Sequence, residues 1–262
     1  MKSDSKPLIL VTNDDGIGAK GLASLVAVAQ GFGEVVVVAP DKPQSGMGHA
    51  ITIHDPLRLT KSDLHAPSAA YACSGTPVDC VKLGIYEVLH KKPDLILSGV
   101  NHGENSSTNV LYSGTMSAAI EGAMEGIPAI GFSLANFAPD ADFSATKYYI
   151  EQVLTLFFQN GLAPNTCLNI NIPDLPLDQI KGIRVVKQAH AYWADRFEKR
   201  QDQYGRTYFW LTGEFSDLDQ RPDTDLHALK AGYVSIVPTQ FDLTAYAHIQ
   251  SLKTWEHEAK SK

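Results

Sequence analysis

Asp14 and Asp15 stand side by side at the end of the apolar run Leu8-Ile9-Leu10-Val11-Thr12, after Asn13 and before Gly16. Two adjacent carboxylates repel each other, and a divalent cation held by oxygen ligands is the simplest thing to offset them. A short apolar run bounded by turn residues reads as a strand buried on both faces. In an open α/β sheet, ligands collect just past the carboxyl ends of such strands. Asn-Asp-Asp-Gly is also good turn chemistry, so taken alone the pair fits a cation site and a plain turn about equally.

Two more apolar runs end in oxygen-bearing residues. Val35 to Ala39 passes through Pro40 and Asp41 into a Gly-, Ser- and Pro-containing loop, where Ser45 offers a small neutral oxygen on the same rim. Leu95 to Val100 ends in Asn101, whose amide oxygen is a hard neutral donor suited to magnesium, manganese or calcium. Three strand ends delivering oxygens to one rim are harder to obtain from turn statistics than any one of them. Ser113-Gly114-Thr115 then opens an Ala-rich helical stretch. A helix start carries unpaired N–H groups and partial positive charge, which a phosphate can use. A simple Ser or Thr cap is the plainer alternative. Asp79, in the first turn of a helix with Thr76 as cap and Pro77 at its first position, reads as structural. His49, isolated in the loop, reads as a surface or packing residue, although a histidine there has the chemistry of an acid or base.

The elements that hold these residues alternate between strand and helix. Leu22 to Gln30 has helical spacing, closed by Gly31-Phe32-Gly33, and joins the first two strands in a βαβ unit. Further helices are expected over Pro77 to His90, from Ser113 to Glu125 and over Ser144 to Phe158. Strands are expected over Tyr71 to Ser74, Pro128 to Leu134 and Leu168 to Pro173, the last leaving the core. Ile51-Thr52-Ile53 and Leu57-Arg58-Leu59 read as short strands, and residues 60–69 as a polar surface segment. The fold class is α/β, a mostly parallel sheet flanked by helices, with residues 1–182 as its core. Residues 183–262 change character: extended segments rich in aromatics, a short helix from Thr224, a strand over Tyr233 to Val237, and an amphipathic helix or tail from Ala245 to Glu258. Tyr192, Trp193, Phe197, Tyr208, Phe209 and Trp210 would form a partner surface if exposed.

Gly16-Ile17-Gly18-Ala19-Lys20-Gly21 matches G-x-G-x-x-G, and Asp41 follows at about the distance of a ribose-binding acid. A dinucleotide site is therefore a competitor. Against it, Asp14 and Asp15 would face the pyrophosphate that such a loop binds. The 262 residues carry a net charge of -7, with no basic stripe of the kind a nucleic-acid polymer requires. No run is long enough to span a bilayer. The polar start Met1 to Pro7 has no signal-peptide character. Cys73, Cys80 and Cys167 form neither a metal-ligand spacing nor a disulfide framework, which suits a reducing cytoplasm.

Taken in order, Val11-Thr12-Asn13-Asp14-Asp15-Gly16, Ala39-Pro40-Asp41 with Ser45, Gly75-Thr76-Pro77-Val78-Asp79-Cys80, Ser98-Gly99-Val100-Asn101-His102-Gly103 and Ser113-Gly114-Thr115 resemble the SurE family of stationary-phase survival nucleotidases. The resemblance extends over nearly the whole chain. It implies a metal-dependent phosphomonoesterase acting on nucleoside 5′- and 3′-monophosphates, with short polyphosphate as a possible side substrate. It carries the metal ligands onto Asp14, Asp15, Ser45 and Asn101, with one magnesium or manganese ion per subunit. It carries the phosphate contacts onto Ser113, Gly114 and Thr115, with Asn101 also facing the phosphate. It further implies a Rossmann-like catalytic core over residues 1–182 and a homodimer or homotetramer built by exchange of C-terminal elements in residues 183–262. Val237, where the family often has threonine, and the polar loop Ser106-Ser107-Thr108 depart mildly from the pattern.

Hydrolysis is then expected to use the ion to polarise the phosphoryl oxygen and to position water, with Asp14 or Asp15 orienting that water and the helix start stabilising transferred charge. A haloacid-dehalogenase-type aspartyl nucleophile needs two aspartates separated by one residue, and here they are adjacent. The other reading is a non-catalytic nucleotide-binding module.

Overall fold

Leu8–Thr12 forms strand β1, buried along its whole length. The computed structural model describes residues 6–258; Met1–Ser5, most of the polar start, and residues 259–262 lie outside the described residues. The loop after β1 carries the carboxylate pair and leads into helix α1 (Lys20–Ala29), which lacks a side-chain cap. Strands β2 (Glu34–Pro40), β3 (Leu59–Ser62) and β4 (Ala69–Cys73) come next. Helix α2 (Pro77–Leu83) continues as a wider π-helical turn through Leu89. Strand β5 (Leu95–His102), helix α3 (Gly114–Met124), strand β6 (Ala129–Leu134), helix α4 (Ser144–Asn160) and strand β7 (Cys167–Ile172) complete the alternation. Beyond them lie β8 (Ile183–Val185), the hairpin β9 (Ala191–Gln201) and β10 (Thr207–Asp217), helix α5 (Asp225–Lys230), β11 (Val234–Thr239) and the short helices α6 (Tyr246–Leu252) and α7 (Thr254–Glu258).

Among the described residues the main sheet has nine strands in the order β3-β4-β2-β1-β5-β6-β7-β11-β8. The run from β4 to β7 is parallel throughout. β3 joins β4 antiparallel, and β11 joins β7 antiparallel. From β1 the chain builds outward through β2, then returns to lay β5 on the opposite side. The switch point is therefore at the carboxyl ends of β1 and β5, where an open α/β sheet leaves a crevice.

Both sheet faces are covered, so the central strands are apolar without alternation. Ile9 and Val11 pack with Leu22, Leu25 and Ile150 under α1 and α4. Leu10 packs with Val81, Ile85, Met116 and Ala119 under α2 and α3. Tight approach between the layers requires Gly21, where an added Cβ would lie 2.0 Å from the Val100 carbonyl oxygen.

Several expectations need correcting. Ile51-Thr52-Ile53 is irregular, and the strand placed at Leu57 to Leu59 begins only at Leu59 and runs to Ser62, inside the segment read as polar surface. β3 is an edge strand, so its Thr, Lys and Ser side chains suit it and periodicity gave no apolar signal. The strand expected to leave the core at Leu168 is interior, between β6 and β11. Its alternate residues Asn169 and Asn171 are buried polar groups held in a network with Asn105.

β8 and β11 extend the main sheet, while β9 and β10 form a separate two-stranded ribbon. On that ribbon Phe197, Phe209, Trp210 and Leu211 are exposed. Its root is clamped to the segment before α3. Asp225, fully buried, accepts from the backbone N–H groups of Ser107 at 2.8 Å, Ala189 at 2.9 Å and Leu226 at 2.8 Å. The Trp193 indole N–H donates to Asn109 Oδ1 at 2.8 Å. Asp225→Ala leaves three buried N–H groups unpaired and is expected to cost about 3 kcal/mol, read as a lower urea midpoint. Among the described residues no helix is long and apolar enough to cross a membrane. The three cysteines are free and buried.

Candidate active site

Asp14 sits at the switch point, 3% exposed, and Asp15 beside it is half-buried. The start of α3 meets Asp14 directly: Thr115 Oγ1 donates to Asp14 Oδ1 at 2.5 Å. Gly114 makes this approach possible, since an added Cβ would lie 2.7 Å from Asp14 Cβ. Ser113 caps the helix, its Oγ accepting from the Met116 N–H at 2.9 Å. The plain cap is thus real, and the residue after next brings the helix onto the carboxylate.

Burial raises Asp14 to about 6, and the neighbouring Asp15 charge adds to the rise, while the Thr115 hydroxyl opposes it. Asp15 is also raised, by burial first, against the His102 backbone N–H that donates to its Oδ2 at 3.2 Å. Among the described residues neither carboxylate has a Lys or Arg within ion-pair distance. A buried and a half-buried carboxylate that repel each other, without a basic side chain to pair them, suit a cation. The Asn13 Oδ1 beside them is buried with no partner.

A bulge brings Asn101 to this rim. The sequence reading ends the strand at Val100; β5 instead runs on to His102, with its register against β6 shifted between Ser98 and Asn101. Gly99, at φ +123°, carries the irregularity, and an added Cβ would meet the Phe132 carbonyl oxygen. Asn101 Nδ2 donates to the Gly103 carbonyl at 2.7 Å, which leaves its amide oxygen as the available donor to a cation.

Ser45 lies in the irregular segment after β2. The preceding Gln44 N–H donates to the Asp14 carbonyl at 2.8 Å, which draws this loop against the carboxylate pair. The Ser45 side chain is exposed and has no hydrogen bond among the described residues. The structure thus joins Asp14 to the Ser113–Thr115 helix start by direct contact, holds Asp15 through the His102 N–H, and brings the backbone carrying Asn101 and Ser45 to the same rim. Among the described residues no group of three or more His, Cys, Asp or Glu is arranged to hold a metal. A cation here needs neutral oxygens to complete its shell, the donor type that Ser45 and Asn101 supply.

Sequence reading missed Glu121. It is 2% exposed in α3, with Oε2 2.8 Å from His49 Nε2 and Oε1 2.5 Å from Lys82 Nζ. His49 is therefore paired rather than a free surface residue. The available signal was a glutamate on the otherwise small and apolar face of α3. Asp79 has the structural role expected: it closes a capping box with Thr76 and accepts from the Thr52 hydroxyl at 2.6 Å.

The family described as Survival protein SurE matches residues 9–195. The 5′-nucleotidase SurE of Flavobacterium psychrophilum is 56% identical over 253 residues, covering 96% of this chain and 98% of that protein. The protein of the same name from Bacteroides fragilis is 46% identical over 97% of this chain and 99% of its own length. The crystal structure of a SurE protein from Aquifex aeolicus superposes with a TM-score of 0.83 at 38% identity, covering 95% of this chain and all of that one.

Proposed function

The chain belongs to the SurE family, and from that premise we propose that it hydrolyses nucleoside 5′-monophosphates, and 3′-monophosphates, to nucleoside and phosphate. The observation that carries the reading is the contact between Thr115 and Asp14. It couples a carboxylate pair suited to a cation to a helix start suited to a phosphate. A phosphomonoester bound beside that contact has its dianion within reach of both.

Metal dependence comes with the family; we assign one magnesium or manganese ion per subunit to Asp14, Asp15, Ser45 and Asn101. When bound, such an ion polarises the phosphoryl oxygen and acidifies water. The chain's own groups do the rest. The first N–H groups of α3, at Gly114 and Thr115, have no intrahelical acceptor and face charge that grows on the phosphoryl oxygens. Thr115 Oγ1 holds Asp14 in one rotamer, and the His102 N–H does the same for Asp15 Oδ2. Asp15 Oδ1 has no protein hydrogen bond among the described residues, so it is the oxygen left to orient water and accept its proton. We also assign Asn101, at the end of the bulged strand, to the phosphate.

The exposed aromatics of the β9–β10 ribbon support a homodimer or homotetramer built through residues 183–262. Free buried cysteines support a cytoplasmic setting. Short polyphosphate fits the same charge pattern as a side substrate.

The test is phosphate release from 5′-AMP and 3′-AMP by purified protein with manganese or magnesium, then with excess chelator. Chelation is expected to lower the rate about a hundredfold or more, with recovery on adding metal back. Full release in chelator, or none with any metal across several nucleotides, overturns the proposal.

A further inference from the structure

We infer that Glu121 and His49 form a positioning tie that holds the loop bearing Ser45 in place for cation binding. The inference rests on the assignment of Ser45 as a ligand. From Asp41 to Arg58 the chain has neither helix nor strand, and Ser45 is exposed within it. Two backbone bonds secure its near end, from the Gln44 N–H to the Asp14 carbonyl at 2.8 Å and from the Gly48 N–H to the Tyr112 carbonyl at 3.1 Å. Between Gln44 and His49 the only side-chain tie to the core among the described residues is His49 Nε2 to Glu121 Oε2, at 2.8 Å.

Glu121 is buried in α3 among small and apolar residues, and a buried carboxylate is costly unless paired. His49 and Lys82 hold its ionisation below the usual carboxylate range, against the opposing effect of burial. One helix therefore fixes both sides of the site: Thr115 holds Asp14, and Glu121, less than two turns on, holds the Ser45 loop through His49. A loop that is ordered before the ion arrives loses less entropy on binding it.

His49→Ala tests the tie without touching a ligand, and Lys82 still pairs with Glu121, so the fold is retained. Manganese binding is measured by calorimetry on the full chain for the parent, His49→Ala, His49→Gln and Ser45→Ala. His49→Ala is expected to bind manganese about five- to tenfold more weakly. Its thermal midpoint stays within about 2 °C, and kcat at saturating manganese stays within about twofold. His49→Gln, which still has a donor for Glu121, is expected to recover most of the affinity. Parent-like affinity in His49→Ala with weakened binding in Ser45→Ala overturns the tie and leaves the ligand assignment standing. Parent-like affinity in Ser45→Ala overturns the inference through its premise instead.

Discussion

Asp14→Asn is expected to lower phosphate release by about a thousandfold or more while making the chelator-treated protein more stable. The two effects share one cause. Asp14 is 3% exposed and next to another carboxylate, and its pKa is about 6 against an ordinary 3.8. Below about pH 3.8 the group is protonated in folded and unfolded chains alike and costs nothing. Between the two values the folded state binds more protons than the unfolded one, so stability falls as pH rises. Above about 6 the penalty is complete, roughly 3 kcal/mol by linkage. Asparagine keeps an acceptor for the Thr115 hydroxyl and removes the charge. Urea unfolding in chelator from about pH 4 to about 7.5 should therefore show a falling midpoint for the parent and a flatter profile for the variant. Saturating manganese should stabilise the parent and do little for Asp14→Asn. Equal midpoints at the upper end of that range in chelator would mean that the carboxylate is not strained by burial. Full activity in a folded variant would remove Asp14 from the site.

Gly114→Ala is expected to cost about a hundredfold in turnover from a single methyl group. The added carbon would lie 2.7 Å from Asp14 Cβ and 3.0 Å from Asp14 Oδ2. The first contact cannot be kept and the second is tight, so the start of α3 and the carboxylate must separate. That separation breaks the Thr115 bond and moves the proposed phosphate donors away from the proposed ion. Alanine is the better helix former by about 1 kcal/mol, so this loss is not one of helix propensity. Gly18→Ala is the control, because nothing lies within 4 Å of the carbon it would add. Steady-state phosphate release and manganese calorimetry on both variants check this. Parent-like turnover in Gly114→Ala would mean that the closeness of α3 to Asp14 does not matter to the reaction.

The proposed site was legible in the sequence because it is carried at strand ends. Strands buried on both faces are unbroken apolar runs, so Leu8 to Thr12, Val35 to Ala39 and Leu95 to Val100 mark themselves, and the residues after each run fall on one rim by topology alone. The same local logic identified the Thr76 cap with Asp79, and offered a Ser or Thr cap at the start of α3, which the structure assigns to Ser113. Tertiary structure decided the features that depend on partners distant in the chain. The edge strand β3 has no apolar side to show. Asn169 and Asn171 look like interruptions of a strand until Asn105 satisfies them. The continuation of β5 through its bulge, which brings Asn101 to the rim, depends on pairing with β6. Glu121 and His49 are 72 residues apart, and no periodicity in either segment anticipates their pairing. A sequence specifies which groups end a strand because burial is written into each run; it leaves open which loop is held by which buried charge, because that is settled only when two surfaces meet.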